Sequence, residues 1–173
     1  SSDLERGVDT VTEVIQGEPY REIIDYAETR GMDLVVMPTH GRRGLERFLL
    51  GSTTERVVRR AEIPVLTIRP DDDVTATRPY ENVLVPTDGS DCANQALAIG
   101  VDVADAEGAI LHLLSVIAIP ALGADARPDL QIEMLEDSAH DLLDEAEAFA
   151  TNAGVEGTST EVEYGPSIHK AIL

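Results

Sequence analysis

The sequence predicts an α/β protein built on parallel β-strands, and two observations carry that prediction. Hydrophobic side chains make up 43% of the 173 residues but aromatic ones only 3%, with no Trp. The core must therefore be built from Val, Ile, Leu and Ala, as in proteins with buried parallel strands. In addition, short apolar runs alternate with longer helical segments at a spacing typical of right-handed βαβ units.

The first part of the chain is predicted to contain three strands and two helices. Pro19 opens the first helix, because the first helical turn needs no amide donor from that residue. A glycine-punctuated loop at 38–51 follows the second strand. In chain order the predicted elements are a strand at 10–15, a helix at 19–30, a strand at 33–37, a helix at 52–61 and a strand at 65–68.

The segment at 70–79 is acidic, bounded by prolines and without an apolar period, which indicates a linker. The alternation of strands and helices then restarts, so that the whole chain contains six predicted strands. The carboxylates of the long helix in this part are predicted to face solvent. The elements are a strand at 82–86, a helix at 90–104, a strand at 109–116, an acidic helix at 129–150, a strand at 158–163 and a helix beginning at 167.

A sequence repeat links the two parts of the chain. Residues 7–17 are echoed by residues 154–165, at an offset of about one whole domain. We therefore predict the C-terminal part of one domain at 1–70, a linker at 71–80 and the N-terminal part of a second domain at 81–173. The alternative is a permuted single domain, in which the strands near 83, 111 and 160 pair with those near 35 and 66.

The chain is strongly acidic, with a formal net charge of -20. Its bases are arginines except for Lys170, a composition that indicates a halophilic protein. Nucleic acid and anionic membranes are poor partners for such a surface. The charge is uneven, because residues 1–70 are nearly balanced while residues 71–173 carry most of the excess acid.

The sequence also predicts a cytoplasmic location. It contains no run of 18 apolar residues and no leader with a basic and then an apolar region. Cys92 is the single cysteine and can form no internal disulfide, which fits a reducing compartment. Its place in an early helical turn predicts a small buried side chain.

A candidate anion site lies where the strand at 33–37 gives way to the helix at 52–61. Gly41 lets the backbone approach a ligand, and Gly51 with Ser52 opens a helix whose free amides and dipole favour an anion. In the alternative interpretation, Ser52 and Glu55 form a capping box and Gly51 serves only as a turn. Three side chains of the same loop are further candidates for phosphate contacts: His40, Arg42 and Arg43.

This loop resembles the signature G-x2-G-x9-G-(S/T) of ATP-binding universal stress proteins, with Gly41, Gly51 and Ser52 in place. The chain departs from the signature at Pro38, where the family has glycine and where proline removes an amide donor. The segment at 83–90 is similar to the family's first strand and its Pro-Thr-Asp turn, and the segment at 110–116 to its second strand. The resemblance implies a flavodoxin-like, Rossmann-like parallel sheet of strand order 3-2-1-4-5 with helices on both faces.

The resemblance also implies that ATP, with or without Mg²⁺, is bound as a regulatory ligand and that no residue is catalytic. By position, Asp88 and Val116 contact the adenine. The adenosine is lined by Pro86, Thr87 and Asp88, and the phosphate loop contains Pro38, Gly41, Gly51, Ser52 and Thr53. For Asp88 alone, the alternative is a turn residue or helix cap before Ser90. No spacing of His, Cys and carboxylates predicts a metal site made by the protein alone.

Two other functions stay open at this stage. A slow ATPase on the same fold needs a positioned lysine, and neither a P-loop nor a lysine occurs near Gly51. A scaffold that dimerises through the strand at 65–68 and does not bind ATP is favoured by Pro38. For the leading prediction the expected partners are an adenine nucleotide and either a second copy or the other domain of a tandem pair.

Overall fold

The chain forms two compact units, Ser1–Thr75 and Ala76–Leu173, called unit 1 and unit 2 below. The computed structural model describes residues 9–39, 50–68, 79–118 and 128–165. Most of the predicted linker, the predicted terminal helix from 167 onward, and Gly41 with its neighbours His40, Arg42 and Arg43 lie outside the described residues.

Unit 1 contains a parallel pair of short strands connected through a helix. Its elements are α1 (Pro19–Thr29), β1 (Val35–Pro38), α2 (Ser52–Arg60) and β2 (Val65–Ile68). β1 and β2 run parallel, with Val35 opposite Val65. Helix α2 connects them and packs against α1 and β2, and its Val57 is fully buried. A parallel pair needs such a crossover, because a tight turn can join only antiparallel strands.

Unit 2 contains a three-stranded parallel sheet with two long helices. Its elements are β3 (Asn82–Pro86), α3 (Asp91–Glu107), β4 (Ile110–Ala118), α4 (Pro128–Ala153) and β5 (Thr158–Gly165). The sheet order is β3-β4-β5, all strands parallel. α3 packs against β3, while α4 packs against β4 and β5.

The core of unit 2 is aliphatic, as the composition predicts. Its most buried large side chains include Leu111, Leu113 and Leu143. Helix α3 approaches β3 closely at Gly100, where an added Cβ would lie less than 3.0 Å from a methyl group of Val85. The absence of a side chain at this position therefore lets the helix lie directly on the strand.

The predicted α/β class with parallel strands is confirmed, and the predicted strands at 65–68 and 82–86 match β2 and β3 residue for residue. The observed order in unit 2 is that of the first three strands in the predicted 3-2-1-4-5 sheet. The complete five-strand order stays a prediction. Helix α3 extends past its predicted end to Glu107, because Gly108 closes it in a left-handed conformation with φ of 68°.

The predicted strand at 10–15 is wrong. Residues 9–16 have no strand assignment, and Val11 and Val14 are 82% and 98% exposed. The copy of this segment in unit 2 forms β5, which pairs with β4 along its whole length. A strand needs a partner for its backbone groups, and no described residue pairs with residues 9–16. An exposed ion pair of 3.2 Å joins Glu13 of this segment to Arg30, the residue that follows α1.

The predicted burial of Cys92 is also wrong, since the thiol side chain is exposed. The inner face of α3 is defined by Leu97, Val101 and Ala104. Cys92 lies five positions before Leu97, which turns it well away from that face at 3.6 residues per turn.

Candidate functional site

The first half of the candidate site is the amino-terminal end of α2. Gly51 is the N-cap residue and Ser52 the first helical residue, with no side-chain capping bond. The capping box considered for Ser52 and Glu55 is therefore absent. Its geometry requires the serine one position earlier, and Glu55 instead pairs with Arg59 at 3.0 Å.

The first turn of α2 offers backbone donors. The first four amides of a helix have no acceptor within it. Of these, the Gly51 amide donates to the Thr39 carbonyl at 2.7 Å. The amides of Ser52, Thr53 and Thr54 are the remaining three. Together with the helix dipole, they form the kind of turn that binds an anion.

The end of β1 is joined both to β2 and to α2. The Thr39 amide donates to the Ile68 carbonyl at 2.8 Å, and the buried Thr54 donates its hydroxyl to the Pro38 carbonyl at 3.0 Å. Strand end and helix start therefore lie side by side. Sequence reasoning missed both threonines as parts of the site. The available signal was the spacing of Thr54 three residues before the apolar Val57, which puts both residues on one face of α2.

Pro38 is the residue at which the chain departs from the glycine of the phosphate-loop signature. In the parallel ladder, the amides of Val35 and Thr39 donate to the carbonyls of Pro64 and Ile68, at 3.0 and 2.8 Å. Amides point toward β2 at every second residue, so position 38 faces away from that strand. The missing N–H of Pro38 therefore costs no bond to β2.

A cluster of arginines around Tyr20 holds α2 to α1. Arg21 and Arg60 both donate to the buried Tyr20 hydroxyl, at 2.9 and 3.3 Å, and the guanidinium of Arg56 lies 4.9 Å from the ring centroid. Arg56 also pairs with Glu18 at 2.8 Å. The hydrogen bond from Arg21 lowers the pKa of Tyr20, because it favours the phenolate. The arginines of α2 thus have a structural use within unit 1.

The second half of the candidate site is the turn between β3 and α3. The buried Thr87 donates its amide to the Leu114 carbonyl at 2.8 Å, which ties the turn to β4. Gly89 then takes a φ of 74°, and its amide donates to the Thr87 hydroxyl at 3.3 Å. A left-handed residue is what lets the chain leave Pro86 and enter α3 within so few residues.

Asp88 is a turn residue in this arrangement. Its carboxylate accepts from the Ser90 amide at 3.0 Å, and the Ser90 hydroxyl in turn caps α3 by accepting from Ala93 at 3.2 Å. Hydrogen bonds from the side chain and backbone of Ser90 lower the pKa of Asp88. The carboxylate is exposed, so one oxygen is committed to the turn while the group stays accessible.

Val116 and the Pro-Thr-Asp turn lie at the same end of the three-stranded sheet. Pro86 is paired with Leu114, so Val116 stands two residues beyond the last pair of β3 and β4. It is half-buried and lies opposite Glu163 of β5. In open α/β sheets, ligands bind beyond the carboxyl ends of the strands. The candidate residues of unit 2 therefore lie together at the carboxyl end of the three-stranded sheet.

The described ranges contain neither a cluster of metal-ligating side chains nor a membrane-spanning helix. No group of three His, Cys, Asp or Glu side chains there could hold a metal ion. Over the same residues, no helix has the length and apolar character needed to cross a membrane.

Both units contain a βαβ connection. Together with the first turn of α2 beside the end of β1 and the glycine turn after β3, they define the class as a parallel α/β protein. The particular family follows from comparison with known proteins. The profile of the Universal stress protein family matches residues 2–69 and 79–172. The chain belongs to that family.

Individual relatives give the same answer. A universal stress protein of Mycobacterium bovis is 30% identical over 135 residues, which cover 78% of this chain and 44% of the relative. One from Methanocaldococcus jannaschii is 49% identical over 65 residues, 38% of each chain. The solved universal stress protein of Archaeoglobus fulgidus matches with a TM-score of 0.64 and 25% identity, over 95% of this chain and 53% of that one. The chain thus spans less than half the length of these two curated relatives.

Proposed function

We propose that the chain binds an adenine nucleotide, ATP, as a regulatory ligand in a stress response. The observation that supports this best is the first turn of α2, where the amides of Ser52, Thr53 and Thr54 have no acceptor within the helix and lie beside the end of β1. A phosphate group supplies the charge and the acceptor oxygens that such a turn binds. The glycine-serine signature of ATP-binding family members falls on the same turn.

The residues proposed to bind the nucleotide form two groups, one in each unit. The amide of Gly51 is already bonded to Thr39, so in this proposal Gly51 contributes space for the ligand while the three following amides contribute donors. Asp88 and Val116 contact the adenine, and Mg²⁺ arrives with the nucleotide. The phosphate group of residues is Pro38, Gly41, Gly51, Ser52 and Thr53, and the adenosine group is Pro86, Thr87, Asp88 and Val116.

The proposal assigns no catalytic residue to this chain. In it, ATP binding shifts the arrangement of two domains, one carrying residues 1–70 and the other 81–173, either in one tandem chain or in a homodimer. The excess of acid supports a halophilic, cytoplasmic protein that does not bind nucleic acid.

Calorimetric titration with Mg-ATP in concentrated KCl tests the proposal. A carboxylate introduced by Ser52→Asp suits a helix start but repels phosphate, so we expect binding at least about tenfold weaker with no loss of helix. Ser159→Asp adds the same charge at the amino-terminal end of β5 and serves as the matched control. Absence of saturable binding by the folded wild type would overturn the proposal.

The stoichiometry of the same titration tests whether the two groups of residues form one site. One ATP per monomer, with the mass measured by light scattering, supports the permuted single domain. One ATP shared by two chains supports a site assembled between copies.

A scaffold without a nucleotide is the second candidate, and Pro38 is the observation that favours it. Its missing amide lies on the side of β1 away from β2, where a ligand or a further strand would otherwise find a donor. Pro38→Gly restores that donor. If the native chain does not bind ATP and Pro38→Gly binds it tightly, the native chain is a scaffold. If both bind ATP with the same affinity, a working site tolerates proline.

A further inference from the structure

We propose that Thr54 is a positioning residue, which fixes the first turn of α2 against the end of β1 and thereby sets the affinity for phosphate-bearing ligands. This inference rests on the proposed function for its ligand. Its structural part concerns the free protein and can be measured without nucleotide.

The hydroxyl of Thr54 bonds to a residue outside its own helix. Thr54 is the third residue of α2, so the carbonyls three and four residues earlier, where a helical threonine commonly bonds, lie outside the helix. Here the hydroxyl bonds instead to the Pro38 carbonyl, 16 residues earlier and in another element, at 3.0 Å. The side chain is 4% exposed, so water does not readily replace this bond.

A second hydrogen bond also joins the start of α2 to the end of β1. It runs from the Gly51 amide to the Thr39 carbonyl at 2.7 Å. The acceptors are successive carbonyls of the strand end, and the donors are almost one turn apart on the helix. Two such bonds define the direction of the helix start relative to the strand. With only one of them, the first turn of the helix can rotate about the remaining bond. Of the two, only the Thr54 bond can be removed by changing a side chain.

The other restraints on α2 act on different parts of the helix. Val57 is buried one turn later, and Arg56 and Arg60 hold the helix to Glu18 and Tyr20 on the α1 side. These contacts keep α2 in place without setting its first turn against β1. Hydrogen bonds weaken steeply with misalignment, and the helix dipole acts only over the first turn. A small pivot at Thr54 therefore reduces anion binding while the unit stays folded.

The test compares Thr54→Val, which keeps the shape and removes the hydroxyl, with Thr54→Ser, which keeps the hydroxyl. The matched control is Thr29→Val, since Thr29 also donates to a backbone carbonyl, that of Asp25, within α1. Mg-ATP affinity is measured by calorimetry, and amide exchange of the 51–58 segment is measured by mass spectrometry in the free protein. We expect Thr54→Val to bind about five- to tenfold more weakly and to exchange faster over 51–58. Thr54→Ser and Thr29→Val should resemble the wild type in both measurements.

The outcomes separate the inference from the proposed function. If the wild type binds Mg-ATP and Thr54→Val binds it with the same affinity, the inference is overturned and the proposed function stands. No binding by the wild type overturns the proposed function. In that case faster exchange in Thr54→Val, restored in Thr54→Ser, still supports the positioning role, and unchanged exchange refutes it.

Discussion

The close approach of α3 to β3 at Gly100 gives the sharpest stability prediction, because two effects oppose each other there. Alanine is a better helix former than glycine by about 1 kcal/mol, which would make Gly100→Ala stabilising. The new Cβ, however, would lie less than 3.0 Å from the Val85 side chain, where ordinary contacts begin at 3.4 Å. Helix and strand must therefore move apart, or the Val85 side chain must shift, before the new Cβ fits.

The packing penalty should exceed the propensity gain. Val85 is buried in the core cluster with Leu111 and is stiff about χ1, so it has no low-energy rotamer change to offer. Overpacking of this kind costs about 1–3 kcal/mol, which after the propensity gain leaves Gly100→Ala less stable by up to about 2 kcal/mol. In a Val85→Ala background the same change should instead stabilise by about 1 kcal/mol, because the clashing methyl group is gone.

A double-mutant cycle measured by urea denaturation provides the assay. Amide exchange of the β3 and β4 peptides assigns the effect to unit 2, and Ala96→Gly on the exposed side of α3 calibrates the propensity difference. We expect an interaction energy of about 1–3 kcal/mol between positions 85 and 100. A stabilising Gly100→Ala, or the same effect in both backgrounds, would refute the claim that α3 and β3 are in tight contact here.

Three further predictions concern unit 2. Leu143→Ala should destabilise by about 2–5 kcal/mol in urea denaturation, because this side chain is fully buried on α4, whereas Leu135→Ala on the exposed side of the same helix should cost clearly less. The hydrogen bond with Glu136 raises the pKa of Tyr164, so absorbance at 295 nm, compared with Tyr164→Phe, should show it ionising above the usual value of about 10. Its stabilising effect is complete below that value and is lost as the pH rises through the raised pKa; ionisation at or below the ordinary value would contradict this. Cys92 should react with a thiol reagent in the folded protein at a rate close to that in urea, and a strongly protected thiol would show that it is covered.

The sequence was sufficient to predict the strands that have neighbours. The runs that form β2 and β3 are short, aliphatic and bounded by prolines, and this pattern predicts strands. The segment at 10–15 has the same pattern as β5 but no partner among the described residues. This wrong prediction shows that strand propensity reflects how well side chains fit neighbouring strands. The sequence pattern of one segment does not say whether such neighbours are present.

The sequence predicted where the candidate site lies in the chain but not which hydrogen bonds form there. Gly51 and Ser52 mark the junction by residue type, and the helix does begin there. The Gly51 amide donates to the Thr39 carbonyl. This bond depends on how the chain returns to the end of β1, which no local sequence rule predicts. The same is true of the Asp88 carboxylate, whose bond to Ser90 makes it part of the turn that enters α3.

Pro38 also has a consequence for the solubility of the chain. Among the described residues β1 pairs with β2 alone, so the backbone groups on its other side have no strand partner there. An open strand edge is a template on which further strands can add, and this can lead to aggregation. At position 38 an incoming strand finds a ring carbon where it needs a donor, so the ladder cannot continue past that residue. The proline that weakens the match to a phosphate-binding signature thus protects this edge against unwanted β-pairing.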